Sequence, residues 1–138
     1  MTRTMHQPDF WQRTRARHRA LQPIERRLHI AIANLLTKCA APGVWFSHLP
    51  AGEYRRPETA RLLQRLGTRR GLPDLMIVDS SGVAFLELKR RGGKPTPEQT
   101  EFLERCHAAG IRCAVADSFD AATNVLKQWG VLSDRVRV

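Results

Sequence analysis

The sequence predicts an α/β fold, a mixed central sheet of about four strands flanked by helices. Three observations carry this. Apolar runs with strand character alternate with segments whose apolar residues recur at helical spacing. Two of the strand runs are separated by a turn short enough for a hairpin, which brings antiparallel pairing into the sheet. The 138 residues, 42% of them hydrophobic, make one domain with a sizeable core.

The elements follow in order. Residues 1–22 read as a basic N-terminal arm, with Arg3, Arg13, Arg15, Arg17 and Arg19 near Phe10 and Trp11. Such an arm either stays solvated or tracks phosphates. The folded domain is expected over residues 23–138. Pro23 suits a first helical position, and Ile24, Leu28, Ile32, Leu35, Leu36 and Cys39 then keep helical spacing up to Pro42-Gly43. Val44–Leu49 reads as a strand stopped by Pro50, and Ala51–Arg56 as a loop. Pro57 opens a second helix with an apolar side of Ala60, Leu62, Leu63 and Leu66, and Gly67 suits its end.

Leu75–Asp79 and Val83–Lys89 are the hairpin strands around Ser80-Ser81-Gly82. Arg90–Pro95 is a basic, Gly-containing loop. Thr96, Pro97 and Gln99 spell a capping box at the start of a third helix. Phe102, Leu103 and Cys106 give that helix its core face, and Gly110 ends it. Ile111–Ala116 is a fourth strand. Ser118 caps a last helix with Ala122, Val125, Leu126 and Trp129 facing inward, stopped by Gly130. Val131–Val138 fits a short strand or coil.

Charge narrows the class of partner. Lys and Arg number 23 against 13 Asp and Glu, a formal net charge of +10. A small domain this basic attracts polyanions, nucleic acid first among them. No cationic helix with a strongly apolar face is evident, and no stretch approaches membrane-spanning length, so a membrane partner is not expected. The three cysteines are odd in number and lack a C-x-x-C pair, and the five histidines show no zinc spacing. A reducing, cytoplasmic setting is the expectation.

The hairpin raises a sharper question, because charged residues flank its apolar runs: Asp74 before the first, Glu87 and Lys89 at the end of the second. Alternation puts Val83, Phe85, Glu87 and Lys89 on one face and Leu86 and Leu88 on the other. Register decides where Asp74 falls. With Ser80 and Ser81 alone in the turn, Asp79 pairs with Gly82 and Asp74 lies opposite Glu87. A three-residue turn would put it opposite Leu88. Facing acids repel. A hard divalent cation removes that cost, and Lys89 is one side-chain step away. On spacing alone a solvent-facing Glu–Lys pair accounts for the same residues.

P-D followed thirteen residues after the Asp by E-L-K resembles the signature of PD-(D/E)xK nucleases. G-L-P-D-L, F-L-E-L-K, a Lys/Gly loop and T-P-E-Q together resemble the VRR-NUC branch of that superfamily. His48-Leu49-Pro50 and an acid early in the first helix, Glu25, resemble it too. The likeness spans about residues 23–130, although HLPAGEYRR lacks the Asn that members often carry after the Pro.

The resemblance implies a restriction-endonuclease-like core and a metal-dependent phosphodiesterase. Asp74 and Glu87 would bind Mg²⁺ or Mn²⁺ with the backbone carbonyl of Leu88, and Lys89 would position the attacking water. Glu25 and Gln99 would complete the site. Each also has a local reading, Glu25 as a first-turn acid and Gln99 as a capping residue. His48 reads as an ordinary strand-end residue. The expected substrate is DNA, branched DNA such as a four-way junction first, cut by a homodimer. Arg55, Arg56, Arg69, Arg70, Arg90, Arg91 and Lys94 are the candidate phosphate contacts. The rival is a basic nucleic-acid-binding protein that kept the fold and lost the chemistry.

Overall fold

The computed structural model describes residues 10–50 and 56–134, with side chains for 24–50 and 56–134. The order is α1 (Phe10–Cys39), β1 (Trp45–His48), α2 (Pro57–Arg65), β2 (Leu75–Asp79), β3 (Gly82–Leu88), α3 (Pro97–Ala108), β4 (Arg112–Ala116) and α4 (Phe119–Gln128). This is the predicted succession. The four strands form one sheet in the order β1-β2-β3-β4. β1 and β3 both run antiparallel to β2, whereas β4 runs parallel to β3, so the sheet is mixed.

The hairpin takes the two-residue turn, with Asp79 paired to Gly82 and Leu75 to Leu86. Continued one step, that register sets Asp74 across from Glu87. Leu75, Ile77, Ala84, Leu86 and Leu88 face α1 and α4 in a core with Ile32, Leu36, Ala122, Leu126 and Val131. The opposite face meets α3, where Phe102 packs edge-on against Phe85 with ring centroids 5.1 Å apart.

Two expectations change. α1 passes through Pro23 instead of starting there. Proline inside a helix forfeits one N–H bond. The preceding run RTRARHRALQ consists mostly of good helix formers, which carry the backbone across that defect. α2 has its apolar side, but none of its residues is buried, and Leu62 and Leu66 are 52% and 72% exposed. The acids and bases of residues 1–23, and most of the 51–56 loop including Arg55, lie outside the described side chains.

Gly71 is the backbone position on which the site depends. It sits at φ +90°, and a Cβ there would fall 2.5 Å from the Glu98 backbone carbonyl at the start of α3. Only glycine admits both the angle and the approach. The chain entering Asp74 is thereby pressed against the helix end that carries Gln99.

Candidate active site

β3 ends in alternating fates. Leu86 and Leu88 enter the core, while Glu87 and Lys89 point to the other face, at the end of the sheet. Glu87 is nonetheless buried, at 2% exposure. Its Oε1 accepts from Lys89 Nζ at 3.1 Å and from Gln99 Nε2 at 2.8 Å. Its Oε2 is buried with no hydrogen-bond partner. Asp74 stands just before β2, behind Pro73. Its Oδ2 accepts from the backbone N–H of Leu88 at 2.7 Å, which ties the two strands together beside the acids.

The electrostatics follow from this crowding. Burial pushes the Glu87 carboxyl up to about 7, the Asp74 charge adds to the effect, and Lys89 opposes it. Burial likewise raises Asp74, against its Leu88 hydrogen bond and the nearby His29 and Lys89, with Glu25 adding its repulsion. Two acids, Glu87 buried and Asp74 partly so, thus share one corner beside Lys89.

Gln99 fills both of its readings. Its side-chain oxygen accepts from Thr96 N at 2.9 Å and its backbone N–H donates to Thr96 Oγ1 at 3.2 Å, closing the capping box. Its amide nitrogen is the group that reaches Glu87. Glu25 comes to the rim, where its Oε1 accepts from Arg90 N at 3.2 Å. The structure therefore brings Glu25, Asp74, Glu87, Lys89 and Gln99 together from two helices and the adjoining ends of two strands. Of Leu88, the N–H is seen engaged.

His29 was missed by the sequence reading. It lies four residues after Glu25, on the same side of α1. Burial lowers its pKa, and the Asp74 charge partly restores it. The spacing from Glu25 was the available signal.

The basic candidates divide. Arg90, Arg91 and Lys94 lie exposed in the loop that follows Lys89 directly. Arg69 and Arg70 line a groove with Leu66, Leu72, Glu98 and Phe102. Arg56 is exposed at the start of α2.

Among the described residues no group of three or more His, Cys, Asp or Glu side chains forms a metal cage. A pair of carboxylates suffices for Mg²⁺, which keeps several waters and takes substrate phosphate oxygens as further ligands. The unpartnered Glu87 Oε2 and the mutual repulsion of the two acids fit such an ion.

The family model described as "VRR-NUC domain" matches residues 25–120. No curated protein matches the chain. A solved structure named "VRR_NUC domain protein" superposes with a TM-score of 0.64 at 23% identity, over 76% of this chain and 86% of that one. Another, named "VRR_NUC domain", gives 0.55 at 22% identity, over 76% and 96%. These two likenesses carry the fold. No helix among the described residues is long and apolar enough to cross a membrane.

Proposed function

This chain belongs to the VRR-NUC domain family, a family of nuclease domains, and from that premise we propose that it is a divalent-metal-dependent endonuclease hydrolysing DNA phosphodiester bonds. The observation that carries the reading is Glu87, a buried acid held beside Asp74 with one carboxylate oxygen left without a partner. A protein that only binds polyanions gains nothing from two acids in that place.

Asp74 and Glu87, with the Leu88 carbonyl, would hold Mg²⁺ or Mn²⁺. Once bound, the cation supplies a Lewis acid for the phosphate and acidifies water. The remaining work falls to the chain. Gln99 fixes the Glu87 carboxylate through its 2.8 Å bond. Lys89 has three ammonium hydrogens, of which one reaches Glu87. The others orient the attacking water and offset charge developing on the phosphoryl oxygens. Glu25 closes the rim by holding the Arg90 backbone. Arg90, Arg91 and Lys94 grip the phosphates next to the cut, and Arg55, Arg56, Arg69 and Arg70 those further along.

Branched DNA is the proposed substrate, because no helix-turn-helix or zinc finger that would read base sequence is evident in the sequence. A homodimer acting in the cytoplasm would deliver paired cuts on opposed strands. The test incubates labelled four-way junction, flap, duplex and single strand with Mg²⁺, Mn²⁺ or EDTA. Wild type is compared with Lys89→Ala and Asp74→Ala, and DNA binding is followed in parallel. Metal-dependent cutting by wild type, lost in both variants while binding persists, supports the reading. Folded wild type that binds DNA and cuts none of the four overturns it in favour of a binding protein.

A further inference from the structure

α1 reaches the candidate metal site twice. Glu25 accepts from Arg90 N just beyond β3. One helical turn later, His29 meets His48 edge-on, with ring centroids 4.6 Å apart and planes at 81°. His48 Nδ1 in turn lies 3.0 Å from the backbone oxygen of Asp74. A carbonyl oxygen only accepts, so that imidazole nitrogen carries the hydrogen. The same oxygen also accepts from Leu49 N at 2.9 Å. Asp74 is thus clamped through its carbonyl by two donors from the end of β1.

The clamp has a reason to exist. Pro73, itself fully buried, has no N–H to give to the sheet, so the ladder lacks one donor just before Asp74. From this geometry we infer that His48 is a positioning residue for the Asp74 carboxylate, with His29 bracing its ring from α1. The inference rests on the metal-dependent reading above, and it assigns a task to two residues outside the acid–lysine set. Groups that orient metal ligands without touching the metal commonly change affinity by about 10–100-fold when removed. His48 is itself exposed, so its bond adds little to global stability. A change there reads on the site more than on the fold.

The experiment measures Mn²⁺ binding to the full chain by titration calorimetry, without DNA, for wild type, His48→Ala, His48→Asn and His29→Ala. Cleavage of the best substrate is split into kcat and KM alongside. Asparagine places an N–H close to where Nδ1–H stood. Expected are about a tenfold weaker Mn²⁺ affinity for His48→Ala with kcat lowered and KM little changed, recovery to within about threefold in His48→Asn, and a loss of about threefold in His29→Ala. His48→Ala that binds Mn²⁺ like wild type overturns the inference and leaves the nuclease reading intact. His48→Asn as impaired as His48→Ala also overturns it, because the donor would then not be what matters. Wild type that neither binds Mn²⁺ nor cuts overturns both readings together.

Discussion

Two aspartates bracket β2 and meet opposite fates. Asp79 closes the strand at the hairpin turn, and Arg112 holds it by two bonds, 2.7 Å to Oδ1 and 3.2 Å to Oδ2. Ser81 N adds a third at 2.9 Å, and the guanidinium continues to the Gly82 carbonyl and over the Trp129 ring. The Arg112 hydrogen bond, first among the causes, keeps the Asp79 carboxyl below its ordinary range. Asp74, at the other end, is raised by burial, and its neighbour Glu87 is pushed to about 7. The fold completes Asp79 from its own side chains. It leaves the Asp74–Glu87 pair short of positive charge and short of one hydrogen-bond donor. Perturbation of this second kind marks sites that wait for something from outside.

Glu87→Gln breaks the contrast most sharply. Cutting should fall on the order of a thousandfold, because a carboxylate ligand is lost. The metal-free protein should melt higher by about 5 °C at pH 8, since a strained buried charge is gone. Cleavage kinetics and a thermal melt in EDTA check both halves. Undiminished cutting, or a lower melting temperature, would make this end of the sheet as structural as the other.

Arg112→Ala tests the opposite end. It leaves the Asp79 carboxylate without its main partner, and stability should drop by about 2 kcal/mol. The rate per folded molecule should stay as in wild type. Urea unfolding, paired with kinetics well below the transition, separates the two. A variant that unfolds like wild type but cuts slowly would move Arg112 to the chemistry.

The pH profile reads both ends at once, because they have opposite signs. Glu87 holds its proton longer in the folded state than unfolded, so metal-free stability declines as pH climbs from about 4.5 through 7. Asp79 loses its proton more readily when folded. Its contribution is present above the ordinary Asp range and fades in acid as pH falls through its lowered value. Melting temperatures across pH 3–8 in EDTA should therefore pass through a maximum on the acidic side. Mn²⁺ should flatten the decline toward pH 8 by taking the place of the proton. A flat profile between pH 5 and 8 in EDTA would mean that Glu87 is not strained.

Much of this was legible in the sequence, because it depends on spacing. Strand alternation with a two-residue turn already aligns Asp74 with Glu87 and sends Lys89 to the same face. Thr96, Pro97 and Gln99 announce their capping box through contacts three residues apart. Helical recurrence picked out Ile32 and Leu36, which are fully buried, although it also included Ile24, which is 58% exposed. Local sterics and chain geometry act at short range, so these features are written in neighbouring residues.

What only the tertiary structure decided lies between residues far apart in the chain. The reach of Gln99 to Glu87, of Glu25 to Arg90 and of Arg112 to Asp79 each joins separate elements. Nothing local joins His29 to His48, yet packing sets them against each other beside Asp74. The apolar side of α2 was visible from its spacing, but its exposure was not. Above all, the sequence placed Glu87 and Lys89 on one strand face, made Asp74 depend on the turn, and left open whether water would surround them. Burial settled that question, because the charge of a carboxylate is costly only where folding has removed its solvent.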